Sequence, residues 1–175
     1  MATQTPPNPK YDKNRDLVRG ESYSMFLGGL FIPYVKKDDF KFTPQTIEIS
    51  SKMSGKSPDK LGGRNDWSAS IEAYVSNTAG HLSYNALENL AASGKAVPFE
   101  ICEVTIAEDA AGLRTVTKGA ALRKGMVTIS DLSKNSTGGE YETFTCTLNG
   151  SGPLKDKADK EIGSTEAITA AGITL

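Results

Sequence analysis

A single histidine, His81, and two cysteines, Cys102 and Cys146, are the residues of this 175-residue chain best suited to metal or nucleophilic chemistry, and their spacing serves neither. A zinc site needs Cys and His at short, fixed intervals. His81 stands alone beside Gly80, and the two cysteines are far apart with no CxxC. No GxSxG nucleophile elbow is present. The glycine pairs Gly28-Gly29, Gly62-Gly63 and Gly138-Gly139 do not open a helix after a strand with phosphate-binding spacing, and no Lys-Ser or Lys-Thr follows them. They read as turn glycines. The carboxylates Asp38-Asp39, Glu103, Glu108-Asp109, Glu140 and Glu142 are scattered through loops and strand exteriors, so no pair stands out for acid/base work. Lys36, Lys37 and Lys41 interleave with Phe40 and Phe42. That pattern could stack single-stranded nucleic acid, but it fits better an exposed strand edge guarded by lysines. The chain therefore reads as no enzyme, with no catalytic, cofactor or metal site.

Lys and Arg number 20 and Asp and Glu 21, a formal charge of −1, so no global field favours nucleic acid, an anionic membrane or an acidic substrate. The length suits one domain with a sizeable core. No apolar run approaches the ~20 residues that span a bilayer, and the segment Met1 to Lys10 is polar and Pro-rich where a signal peptide would be apolar. The expectation is a soluble protein made in the cytosol, with Cys102 and Cys146 reduced and buried inside strands. Sequence alone does not place their Cα atoms within disulfide range.

The elements that position these residues follow from two periods. In Trp67, Ala69, Ile71, Ala73 and Val75 apolar side chains alternate with Ser68, Ser70, Glu72 and Tyr74, the pattern of a strand with one buried face. Phe144, Cys146 and Leu148 alternate with Thr143, Thr145 and Thr147 in the same way, and Gly150-Ser151-Gly152-Pro153 ends the run. Residues 1–20, with Pro6, Pro7 and Pro9, form an arm that cannot bury itself. Ser22 to Val35 reads as a strand bent at Gly28-Gly29, and Thr46 to Ser51 as a short strand with Ile47 and Ile49 inward. Lys52 to Asp66 is turn chemistry throughout, a loop of uncommon length. A helix spans 83–93, with Ser83 as N-cap, Leu82 and Leu87 as a staple, Leu87, Leu90 and Ala91 as its stripe, and Gly94 as C′. Strands follow at Pro98 to Ile106, Leu113 to Thr117, Ala120 to Leu132 and Tyr141 to Leu148. Lys155 to Leu175 is a last strand or an arm. Trp67, Ile71, Leu87, Leu90, Phe144 and Leu148 are the expected core anchors. The sum is a mainly β protein over residues 21–154: an antiparallel β-sandwich or barrel with one flanking α-helix, a long inter-strand loop and extended terminal arms.

Four stretches carry a resemblance. Thr46-Ile47-Glu48-Ile49-Ser50-Ser51 enters the long loop, and Gly62-Gly63-Arg64-Asn65-Asp66-Trp67-Ser68 leaves it. The helix carries Tyr84, Leu87 and Leu90, and a final hairpin runs from Gly119-Ala120-Ala121 through Thr128-Ile129-Ser130-Asp131-Leu132 to Leu148-Asn149-Gly150-Ser151-Gly152-Pro153-Leu154. Together they resemble the major tail tube proteins of long-tailed bacteriophages. The resemblance implies a virion protein, made in the host cytoplasm, whose hexameric rings stack into a hollow tail. It implies tape measure, tail terminator and distal tail proteins as partners, and double-stranded DNA passing through the lumen without specific binding. By the same resemblance the loop bridges one ring to the next, with Lys52, Met53, Lys56, Lys60, Arg64 and Asp66 as its contact residues. Two other readings stay open: the tube of a contractile injection or secretion machine, and a β-sandwich module that binds carbohydrate or protein.

Overall fold

The computed structural model describes residues 20–49, 59–78 and 81–170. A 3₁₀ turn, Gly20–Ser22, leads into eight strands: β1 (Tyr23–Leu27), β2 (Leu30–Phe31), β3 (Val35–Ile49), β4 (Asp59–Tyr74), β5 (Val97–Glu108), β6 (Arg114–Asn135), β7 (Thr143–Gly150) and β8 (Lys155–Asp156). Helix α1 (Tyr84–Ser93) joins β4 to β5, and α2 (Thr165–Ala170) follows β8. The strands form one antiparallel sheet in the order β2-β1-β5-β6-β7-β4-β3, with β8 paired to β6. The mainly β, antiparallel, helix-flanked class is as the sequence implies. One curled sheet, rather than two packed layers, builds it.

The curl is fixed at Trp67. In a flat sheet β4 and β5, three strand spacings apart, would lie about 14 Å from each other. The Trp67 and Phe99 rings nevertheless meet at 5.6 Å between centroids. The indole reaches Phe99 by lying across Gly150 of β7 and Gly125 of β6. A Cβ at Gly125 would fall 2.6 Å from Trp67 Cζ2, and one at Gly150 closer still to the ring. Trp67 Nε1 donates to the Gly152 carbonyl at 3.1 Å, so the one polar atom of the buried ring is satisfied. Around it pack Ala69, Ile71, Ala73, Phe144, Cys146, Leu148, Val127 and Leu154.

Helix α1 covers this face against β6. Its staple residues Leu82 and Leu87 are both buried, whereas Leu90 is half-buried and stands outside the core cluster. Gly94 closes the helix in the left-handed conformation, φ 63°, with its N–H on Ala91. Ser83 sits at the N-cap, but its Oγ accepts from the Ser76 N–H at 2.8 Å and makes no bond to the helix.

Several boundaries differ from the sequence reading. Gly28 and Gly29, both at positive φ (59° and 80°), form a two-residue turn between paired Leu27 and Leu30, so the expected bent strand is a hairpin. Thr46 to Ile49 is the end of the 15-residue β3, and Ile47 and Ile49 face solvent. The second half of the expected loop, Asp59–Asp66, is strand β4, paired with β3 down to Ile49↔Asp59. Its turn-type residues fit because this stretch is two-stranded: Pro44 lies on the sheet's edge strand, and Gly63 admits the Gln45 carbonyl at a register shift. Leu113–Thr117 and Ala120–Leu132 belong to a single strand, β6, whose break in pattern reflects a register shift near Cys102, where Gly119 abuts the Glu103 backbone. Beyond Leu154 the chain continues along β6 as β8. It turns on Asp156, whose Oδ1 accepts the Ala158 and Lys160 N–H groups at 2.8 and 2.9 Å and so holds its carboxyl below the usual range. The N-terminal arm, residues 1–19, lies outside the described residues.

Overpacking under the indole costs about 1–3 kcal/mol, so Gly150→Ala is expected to lower the urea midpoint at unchanged m. Gly138→Ala, whose Cβ would meet nothing within 4 Å, is expected to leave it in place. Trp67→Ala is expected to cost about 3–5 kcal/mol.

Candidate functional site

The residues most capable of chemistry are engaged structurally. His81 Nδ1 lies 2.9 Å from Ser76 Oγ in the connection before α1. Cys102 and Cys146 are free and fully buried, on β5 and β7 with β6 between them. Burial pushes the Cys102 thiol up against the pull of Lys118, and pushes Cys146 up to about 12, so both are neutral thiols. The strand carboxylates pair with lysines or arginines: Glu72 with Lys36 at 2.6 Å, Asp39 with Lys37 at 2.6 Å, Glu108 with Arg114 at 2.9 Å, and Glu142 with Lys134 at 3.1 Å. The Lys134 and Ser136 donors lower the Glu142 pKa. Among the described residues no three or more His, Cys, Asp or Glu are grouped to hold a metal ion. Lys36, Lys37 and Lys41 lie on β3, the long edge strand of the sheet, where solvated charge discourages stray pairing.

What the fold does display is surface. Three features stand out. The first is the face of β3, β4, β7 and β6 turned away from Trp67. Its cross-strand rows are Lys41↔Ser68↔Asn149↔Thr128, Asp39↔Ser70↔Thr147↔Asp131 and Lys37↔Glu72↔Thr145↔Ser133. The two central strands carry one charged residue, Glu72, on this face, and it is bonded to Lys36. The second feature is a pair of edges open among the described residues, β2 at one side and β3 at the other.

The third is a pair of two-stranded ribbons. β7 pairs with β4 only from Ser68 to Tyr74, so among the described residues β3–β4 beyond Trp67 projects as two strands, with Gly163 beside Asn65 at its base. β1 pairs with β5 only from Phe99 to Glu103, so β5–β6 beyond Val104 does the same. Strand direction sends both past the same end of the sheet. They carry exposed Ile47, Ile49 and Leu61, and exposed Ile106 and Leu113. Isolated ribbons are marginal in water, and apolar side chains at their ends gain by burial against another molecule. Lys60, Arg64 and Asp66 are exposed on the first ribbon, Asp66 accepting from Gln45. Lys52, Met53 and Lys56 lie outside the described residues.

This architecture has solved counterparts. The tail of an empty gene transfer agent particle, of C6 symmetry, matches with a TM-score of 0.61 at 12% identity over 80% of this chain and 98% of that one. The fold is that of a tail tube protein. The SPP1 tail tube matches at 0.56 and 12% over 91% and 87%. A chain of the sheath–tube complex of an extracellular contractile injection system matches at 0.51 and 13% over 81% and 93%. No family model and no curated protein sequence matches the chain.

Within the tail tube fold, sequence reasoning missed the ribbons because it placed Ile47 and Ile49 in the core. The signal was present in Pro44 and in Gly62 and Gly63, opposite Thr46 and Gln45, a combination suited to an edge. Cys146 gives a test of its burial. Its folded pKa is above the unfolded 9.0, so the stability it contributes is complete below about pH 9 and is lost as pH rises through about 12. Wild-type protein is expected to lose stability across that alkaline window, and Cys146→Ala to lose less.

Proposed function

We propose that this chain is a structural virion subunit that polymerises as stacked hexameric rings into a tail tube, the conduit for genome delivery. The observation that carries the reading is the pair of projecting apolar ribbons on a sheet with two open edges, in a tail tube fold. Unlike edges favour head-to-tail contact, which closes a ring when the rotation permits, and ribbons directed past one end favour axial stacking, which stays open-ended. In this reading Lys60, Arg64 and Asp66, with Lys52, Met53 and Lys56, bridge ring to ring. Tape measure, tail terminator and distal tail proteins are its further partners, and synthesis is in the host cytoplasm.

The hydroxyl-lined face suits the lumen wall. Duplex DNA binds proteins largely through release of counterions by Lys and Arg; Ser68, Ser70, Thr145, Thr147 and Asn149 offer no such cation, and the lysines of these rows are confined to the β3 edge, where Lys36 and Lys37 are paired with Glu72 and Asp39 and Lys41 stands opposite Ser68. Double-stranded DNA then passes without being held. The similarity to a contractile injection tube supports a second reading, a tube enclosed by a sheath, which differs in its partners and not in its assembly.

Purified protein at high concentration is expected to show hollow six-fold rings or tubes by negative-stain electron microscopy; dispersed monomers that bind a glycan would instead favour a recognition module. Joining Thr43 to Asp66 through Asn-Gly removes the first ribbon's end but keeps Trp67, and the variant is expected to keep its thermal midpoint and lose tubes. Thr147→Lys is expected to make tubes retain duplex DNA in about 50 mM salt and release it by about 200 mM; equal retention by wild type would remove the lumen assignment.

A further inference from the structure

At the end of the sheet opposite the ribbons three tyrosines stand in solvent. Tyr34 precedes β3, Tyr74 closes β4 and Tyr141 precedes β7, with exposures of 62%, 38% and 86%. They are held in place. The Tyr74 N–H donates to the Tyr34 carbonyl at 3.1 Å, and the Val75 N–H to the Glu142 carbonyl at 2.9 Å. The Tyr74 and Tyr141 rings meet edge-on at 6.1 Å and 80°, and Lys36 Nζ sits 5.4 Å from the centre of the Tyr74 ring. Tyr34 adopts φ 58°, a left-handed conformation that a bulky residue seldom takes unless its surroundings impose it. The Tyr34 ring rests against His81, 6.3 Å between centroids. Rigid, exposed tyrosines are the anchors that protein interfaces use most, because they bury much area at little conformational cost.

We infer that this tyrosine end is the receiving surface for the β3–β4 ribbon of the next copy of the same chain. The inference rests on the ring-stacking reading and names the residues on its other side. A second copy is the occupant because the chain carries two unlike, unpartnered surfaces at opposite ends of one sheet. The ribbon cannot fold back onto its own tyrosines: from Leu61 to Tyr74 is about 40 Å of extended strand. Ile47, Ile49 and Leu61 supply the apolar surface that the rings cover.

Two cysteine variants test this, since native Cys102 and Cys146 are buried. Gly62→Cys, where an added Cβ meets nothing within 4 Å, and Thr137→Cys flank the contact and leave its anchors intact. Purified separately, mixed under assembling conditions and treated with a short bis-maleimide, they are expected to give covalent dimers that neither gives alone. Tubes without any mixture-specific dimer overturn the inference while leaving stacking in place, and that outcome sends the tyrosine end to a different partner. Failure of wild-type protein to form rings or tubes overturns the stacking reading and this inference with it. Independently, Tyr34→Ala and Tyr141→Ala are each expected to raise the concentration needed for tubes at least about tenfold with unchanged thermal midpoints. An unchanged assembly threshold in both variants would also overturn it.

Discussion

One indole holds this subunit together. Trp67 touches five strands: its own, β7 through Gly150, β6 through Gly125, β5 through Phe99 and β3 through Phe40. Its Nε1 also fixes the break between β7 and β8 through the Gly152 carbonyl. Where two glycines let the ring lie flat, the sheet can curl until β4 and β5 share a core. That core closes under α1, through Leu82 and Leu87. The curl leaves the opposite face free of any packing role, which is why its central strands can carry Ser, Thr and Asn, with Lys37, Asp39 and Lys41 on the β3 side and Asp131 on β6. It also leaves the ends of β3, β4, β5 and β6 with nothing of their own to lie against.

The sequence revealed those parts whose two faces differ. Trp67 to Tyr74 and Thr143 to Leu148 have one dry side and one wet side, so their period of two survives intact. The helix was legible because Leu82, Ser83, Leu87 and Gly94 each have a local job. The ribbons were not legible, since both faces of a two-stranded projection meet solvent and alternation carries no information there. Ile47 and Ile49 looked like core residues for the same reason that makes them useful in assembly, namely that apolar surface gains by burial against whatever covers it. Gly62, Gly63 and Asn65 looked like loop because an unpacked ribbon tolerates residues that a central strand would not. In β6 the register shift near Cys102 split one 22-residue strand into two apparent ones. No chemistry was missed at His81, whose partner is a serine hydroxyl.

The chain displays edges, ribbons and tyrosines whose apolar surface gains by burial, and the proposed polymer covers all three at once. Lysines and their paired carboxylates on β3, together with Asp38, whose carboxyl partial burial pushes up, keep the longest edge polar. Such an edge resists indiscriminate strand addition while a specific neighbour can still supply matching groups. Ordered assembly and avoidance of disordered aggregation therefore act on the same strand.

The pairing of Ser68 with Asn149 has a temporal side as well. These partners are separated by 81 positions in the chain (149 − 68), so at ribosomal speeds of about 5–20 residues per second β4 waits roughly 4–16 seconds for β7 to be made. During that interval the β3–β4 hairpin can form, but Trp67 has neither Gly150 to lie on nor the Gly152 carbonyl to bond. The newborn chain thus presents an unfinished sheet until Gly150 and Gly152 have emerged, which makes the rate of translation between β4 and β7 a determinant of how much chain reaches the folded shape.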